Sequence, residues 1–170
     1  RQVLALWVVG LVAAVLLTSG GGSSGTAAEP KVAPAIDLPN LDESKGNIKL
    51  ADFKGKLVVM FFGYTQCPDV CPTTMAEMAA VMKELGPQAD QVQVLFVTID
   101  PERDTPALLA QYVPTFDPRF LGLYGDAAAT AKVAKEFKVF YAKVPGKTPG
   151  SYSMDHTAGS YVFDKNGKIR

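Results

Sequence analysis

The sequence predicts an α/β fold, a mixed sheet covered by helices on both faces, and three observations carry that expectation. Leu57-Val58-Val59-Met60-Phe61-Phe62 and Val92-Gln93-Val94-Leu95-Phe96-Val97-Thr98-Ile99 are largely apolar runs bounded by turn residues, the pattern of strands buried on both faces. Between them, Met75, Met78, Ala79, Met82 and Leu85 recur at helical spacing until Gly86-Pro87. Near the end, residues 159–163 lead into Asp164-Lys165-Asn166-Gly167, whose Asn-Gly is a hairpin signal.

The first segment of the chain stands apart from that fold. Residues 3–18 carry no charge and follow Arg1, so residues 1–18 read as an N-terminal transmembrane anchor. The stretch is slightly short of the roughly twenty residues of a full span. Thr26-Ala27-Ala28 lies too far past its end to suit signal-peptide cleavage, which favours an uncleaved anchor. Arg1 places the N-terminus in the cytoplasm by the positive-inside rule, and the rest of the chain on the extracytoplasmic side. Residues 19–35 are rich in Gly, Ser, Ala and Pro, the composition of a flexible linker. Arg1 is not an initiator Met and the pattern at Arg170 is unfinished, so both ends read as trimmed.

The domain is expected over residues 36–170. Residues 36–38 and 46–50 read as short strands around a turn at 42–46, and 53–56 as a second turn. Residues 57–62 are expected as the central strand. Pro72 suits the first turn of the following helix, and Thr105-Pro106 an N-cap and first-turn pair for a short helix through Val113. A third helix is expected over 127–137, then a strand at 139–144 and the terminal hairpin. Strands alternating with helices describe a mixed sheet. There are no internal repeats.

Composition narrows the function. The chain has 170 residues, 48% of them hydrophobic, which suffices for one core and a single domain. Basic and acidic residues balance at 17 each, so no overall field favours nucleic acid. Two cysteines are too few for a disulfide scaffold, and Cys67 and Cys71 therefore read as working groups.

Those cysteines lie four apart on a strand-to-helix turn. With Pro72 opening the helix, both flank its first turn, where free amides and the helix dipole are expected to favour thiolate. Two sulfurs so placed can form a redox pair or hold a soft ion such as Cu(I), and the residues leave both open. His156 is the only histidine. A lone histidine is most often an ordinary surface or core residue. Here it sits in a predicted loop leading into the last strand, from which its imidazole could reach the thiols. Two sulfurs and one nitrogen suit Cu(I); Cu(II) would take a further ligand, for which Asp69 or Asp155 is available, each equally readable as a turn or capping residue. Met75, Met78 and Met82 share one helical face and read as core. Residues 100–106 are charged but read as a loop leading to a helix N-cap.

Taken together, Phe61-Phe62-Gly63-Tyr64-Thr65-Gln66-Cys67-Pro68-Asp69-Val70-Cys71-Pro72, then Val97-Thr98-Ile99-Asp100-Pro101-Glu102-Arg103-Asp104-Thr105-Pro106, then Asp155-His156-Thr157, resemble the Sco/SenC family. The resemblance covers about residues 36–170. It implies a thioredoxin-like fold, in its peroxiredoxin-like variant, held by a single-pass anchor on the periplasmic side of the inner membrane. It also implies a metallochaperone that takes Cu(I) or Cu(II) from a donor protein and delivers it to the binuclear copper centre of cytochrome c oxidase subunit II. The ligands it carries over are Cys67, Cys71 and His156, and the family's C-terminal strand and helix would lie beyond Arg170. The alternative is a thiol–disulfide oxidoreductase acting on that subunit or another partner through Cys67 and Cys71. A peroxidase fits less well, because Met60 and Tyr64 stand where peroxiredoxins carry Pro and Thr or Ser, and Trp7 falls in the expected anchor.

Overall fold

Residues 37–39 and 46–170 are described by the computed structural model. The expected anchor at 1–18 and linker at 19–35 lie outside these residues. Among the described residues, no helix is long and apolar enough to cross a membrane.

Strand β1 (Asp37–Pro39) pairs antiparallel with β2 (Asn47–Lys49), as the sequence predicts. Strand β3 (Leu57–Gly63) is central: it runs parallel to β4 (Val92–Thr98), with Phe61 opposite Phe96, and antiparallel to β8 (Ser160–Phe163), with Met60 opposite Tyr161. Strand β5 (Leu121–Leu123) pairs parallel with β4 and completes the order β5-β4-β3-β8.

Consecutive residues of a strand face opposite sides of the sheet, so an unbroken run of burial requires both sides to be covered. Residues 60–63 and 93–98 are such runs. On one side, Phe62 meets Phe137 and Tyr161 at ring-centroid distances of 5.7 and 5.8 Å; Phe137 follows helix α3 (Ala127–Glu136). On the other, Phe61 meets Phe96 at 6.2 Å, and Phe96 meets Tyr112, the last residue of α2 (Pro106–Tyr112), at 6.0 Å. Helix α1 (Val70–Leu85) joins this second side through Cys71. Its Met75 and Met82 are buried, and Met78 packs against the core, as the helical spacing predicts.

The helix starts follow local chemistry. Thr105 Oγ1 accepts the Leu108 N–H at 3.2 Å, with Pro106 in the first turn, and Asp126 caps α3 through Ala129 N–H at 2.8 Å. Helix α1 begins at Val70, two residues before the expected Pro72. Proline fits there because the amide it lacks would still have no partner within the helix.

The greatest departure lies outside the main sheet. The predicted strand at 139–144 forms as β6 (Tyr141–Pro145), but among the described residues it pairs only with β7 (Tyr152–His156), in a separate antiparallel hairpin. His156 thus closes a strand rather than sitting in a loop.

Candidate metal centre

Strand β3 delivers the chain to the cysteine turn at Gly63. A methyl group on Gly63 would lie 2.8 Å from Phe61, 2.9 Å from Phe96 and 3.0 Å from Cys71 Sγ, so only glycine lets this sulfur settle against the sheet. Cys71 is the second residue of α1 and fully buried; Cys67 lies in the turn, half-buried. The Cys67 N–H donates to Tyr64 O at 3.3 Å, and the Cys71 N–H donates to Cys67 Sγ at 3.4 Å. Both thiols are free.

His156 arrives from β7, with Nε2 3.5 Å from Cys71 Sγ. Its Nδ1 lies 3.0 Å from Thr157 O. A carbonyl only accepts, so Nδ1 carries the proton and the Nε2 lone pair is turned toward the sulfurs. The ring is met edge-on by Phe61 and Tyr64, at 6.2 and 5.8 Å. The ligand atoms of Cys67, Cys71 and His156 all lie within 4.8 Å of one another. A cleft of about 300 Å³ opens beside them, bordered by Tyr64, Pro68, Asp69 and Met154. Asp69 and Asp155 also line this cleft but fall outside the three-residue cluster. Asp155 precedes His156 on the strand, so its side chain leaves from the opposite face of the hairpin.

Burial corrects the expectation that the helix start lowers the Cys71 thiol. At Cys71, desolvation dominates and, together with the neighbouring Cys67 sulfur, pushes the thiol well above its ordinary value. A metal ion binding there must therefore displace a proton. Two sulfurs and an unprotonated imidazole nitrogen suit a soft, low-coordinate ion, and two free thiols this close can also oxidise to a disulfide.

The segment after β4 does more than lead to a cap. Asp104 is fully buried beneath the cysteine turn and accepts from Thr65 N–H at 3.1 Å and from the Thr65 and Thr98 hydroxyls, each at 2.6 Å. Burial raises its carboxyl in spite of these donors. Asp100, also buried, binds Arg103 Nε at 2.5 Å and the Tyr152 hydroxyl at 2.8 Å. Composition alone reads such a segment as solvated. The one available signal was its position between a fully buried strand and a capped helix.

Three comparisons bear on this arrangement. The SCO1/SenC family model matches residues 36–170. The SCO2-like protein of Rickettsia felis is 38% identical over 133 residues, which cover 78% of this chain and 65% of that protein. The chain spans about half to two thirds of the length of such relatives. Among solved structures, copper-bound ScoI of Bradyrhizobium japonicum is 41% identical, with a TM-score of 0.75, over 82% of this chain and 87% of that one. BsSco, a member of the Sco family of cytochrome c oxidase assembly proteins in which a disulfide switch was identified, is 25% identical with a TM-score of 0.59, over 83% of each chain. With the three motifs falling inside a match that runs from residue 36 to residue 170, the chain belongs to the SCO1/SenC family.

Proposed function

We propose that this domain binds one copper ion through Cys67 Sγ, Cys71 Sγ and His156 Nε2. It delivers the ion to the binuclear copper centre of cytochrome c oxidase subunit II during assembly, after loading by a copper donor protein. The observation that carries the reading is the convergence of three ligand atoms within 4.8 Å, with the imidazole tautomer already set by Thr157 O. Copper bound to ScoI, at 41% identity, supports the choice of metal. The two thiolates suit Cu(I), and Cu(II) would take a further ligand through the cleft. Residues 1–18 would anchor the domain to the inner membrane and 19–35 would tether it on the periplasmic side.

A second reading rests on the two free, adjacent thiols and on the disulfide switch of BsSco. Cys67 and Cys71 would reduce a partner disulfide. Two electrons and two protons would leave the pair as it closes into its own disulfide, and the partner would gain two thiols. The readings separate at His156. Adding Cu(I) to the reduced protein and to a His156→Ala variant tests them. The copper reading expects weaker, nitrogen-free binding in the variant. Unchanged affinity and coordination, with thiol exchange intact, would favour the reductase.

A further inference from the structure

His156 stands on a hairpin that the main sheet does not hold. Among the described residues, strands β6 and β7 pair only with each other, and a two-stranded hairpin is marginal alone. Something else must hold the imidazole beside the sulfurs.

Arg103 meets that need. Its Nη1 donates to Tyr152 O on β7 at 2.8 Å and to Gln66 Oε1, immediately before Cys67, at 3.2 Å. Its guanidinium lies 3.7 Å from the Tyr152 ring centroid and 5.7 Å from that of Tyr64, the ring that flanks His156. Nε is tied to the buried Asp100 carboxylate, whose other oxygen accepts the Tyr152 hydroxyl. One planar group thus touches the cysteine turn and the hairpin strand at once, a geometry that the point charge of lysine does not reproduce. The hairpin has other fastenings: Met154 is buried in the core and donates its N–H to Tyr64 Oη at 3.3 Å, and Lys143 forms an exposed ion pair with Glu102. Arg103 Nη2 is buried without a hydrogen-bond partner among the described residues.

We infer that Arg103 is a positioning residue for the third ligand, fastening the hairpin to the cysteine turn so that His156 Nε2 stays within reach of the sulfurs. The inference rests on the reading of His156 as a copper ligand.

The test is a cycle on the reduced full chain: wild type, Arg103→Met, His156→Ala and the double variant. Cu(I) affinity is measured by competition with a chelator, and neighbours are counted by X-ray absorption. Arg103→Met should weaken binding about 10- to 100-fold, the usual cost of losing a residue that orients a ligand, and should remove the nitrogen neighbour while keeping both sulfurs. The double variant should bind no more weakly than His156→Ala. Retention of the nitrogen, or an equal loss with His156 already absent, would overturn the inference. An unaffected His156→Ala would instead overturn the copper reading beneath it. Should Arg103→Met fail to fold, Arg103→Lys runs through the same cycle, with loss of the nitrogen signal again expected and its retention again fatal.

Discussion

The two sulfurs and the nitrogen of this centre are held by different physics. Cys71 is fixed by the core: its sulfur is sealed against Gly63, Phe61 and Phe96 on the central strand pair, where burial is complete. His156 is carried by a hairpin that buries only Met154 in the core and is otherwise tied down by polar bonds through Arg103, Asp100 and Tyr152. Close-packed interiors resist displacement, whereas a few part-buried hydrogen bonds contribute about 1–3 kcal/mol each and can open locally. The contrast suits a carrier. A metal held by one rigid sulfur, a second in the turn and one detachable nitrogen could lose a ligand without the fold unravelling.

Substitutions on the two sides should therefore fail differently. The largest effect is expected for Cys71→Ser, which removes a sulfur from the rigid side; bound Cu(I) should fall from one per chain to none after gel filtration, with the fold retained by circular dichroism. His156→Ala should lower Cu(I) affinity by at least the about 10- to 100-fold that losing a ligand's orienting partner costs, at little cost in thermal stability, because its ring is half-buried and touches Phe61 and Tyr64 only edge-on. Equal losses from both substitutions would erase the proposed asymmetry.

Proton linkage sharpens the comparison. Burial holds the proton on Cys71 well above the ordinary thiol range, so copper binding at neutral pH releases it. Apparent Cu(I) affinity should then rise with pH, by about tenfold per unit for each thiol proton released, as titration in a chelator of known pH dependence would show. A flat profile through neutral pH would contradict the buried thiol.

Gly63→Ala probes the rigid side through packing alone. Its new methyl meets two aromatic rings and Cys71 Sγ at 3.0 Å or less, and overpacking of this kind costs about 1–3 kcal/mol. Chemical denaturation should register that loss, together with weaker copper binding as Cys71 shifts. The smallest effect belongs to a part of the body remote from the centre. Arg119 binds Asp117 with its side chain and holds that carboxyl below the ordinary carboxylate range. The stability this adds is present above the unfolded-state value, about 3.9, and is lost as pH falls through the lower folded one. Asp117→Asn should thus melt slightly earlier at neutral pH, the gap should close in acid, and copper binding should not change.

This same division decides what could be read from the chain. The central strands are legible because burial on both faces writes an unbroken apolar run, and Cys67 and Cys71 because they follow such a run at a proline-marked helix start. His156 is legible as a candidate by being the only imidazole. Its support is harder to read: Tyr152-Ser153-Met154-Asp155-His156 does alternate, but over only five residues with a single aliphatic side chain, and the three residues of β5 are too short to show any period. Asp100, Arg103 and Asp104 look solvated because a charged, proline-bounded segment has the composition of a loop. Their burial depends on partners 39 to 52 residues away, Thr65 and Tyr152, which no local pattern can report.

Extended X-ray absorption on the reduced protein loaded with one equivalent of Cu(I) tests the central claim most directly, because it counts sulfur and nitrogen neighbours at the metal. The account predicts two sulfurs and one imidazole nitrogen, with the nitrogen lost in His156→Ala. Two sulfurs alone in the unaltered protein, or a spectrum identical in the variant, would contradict it.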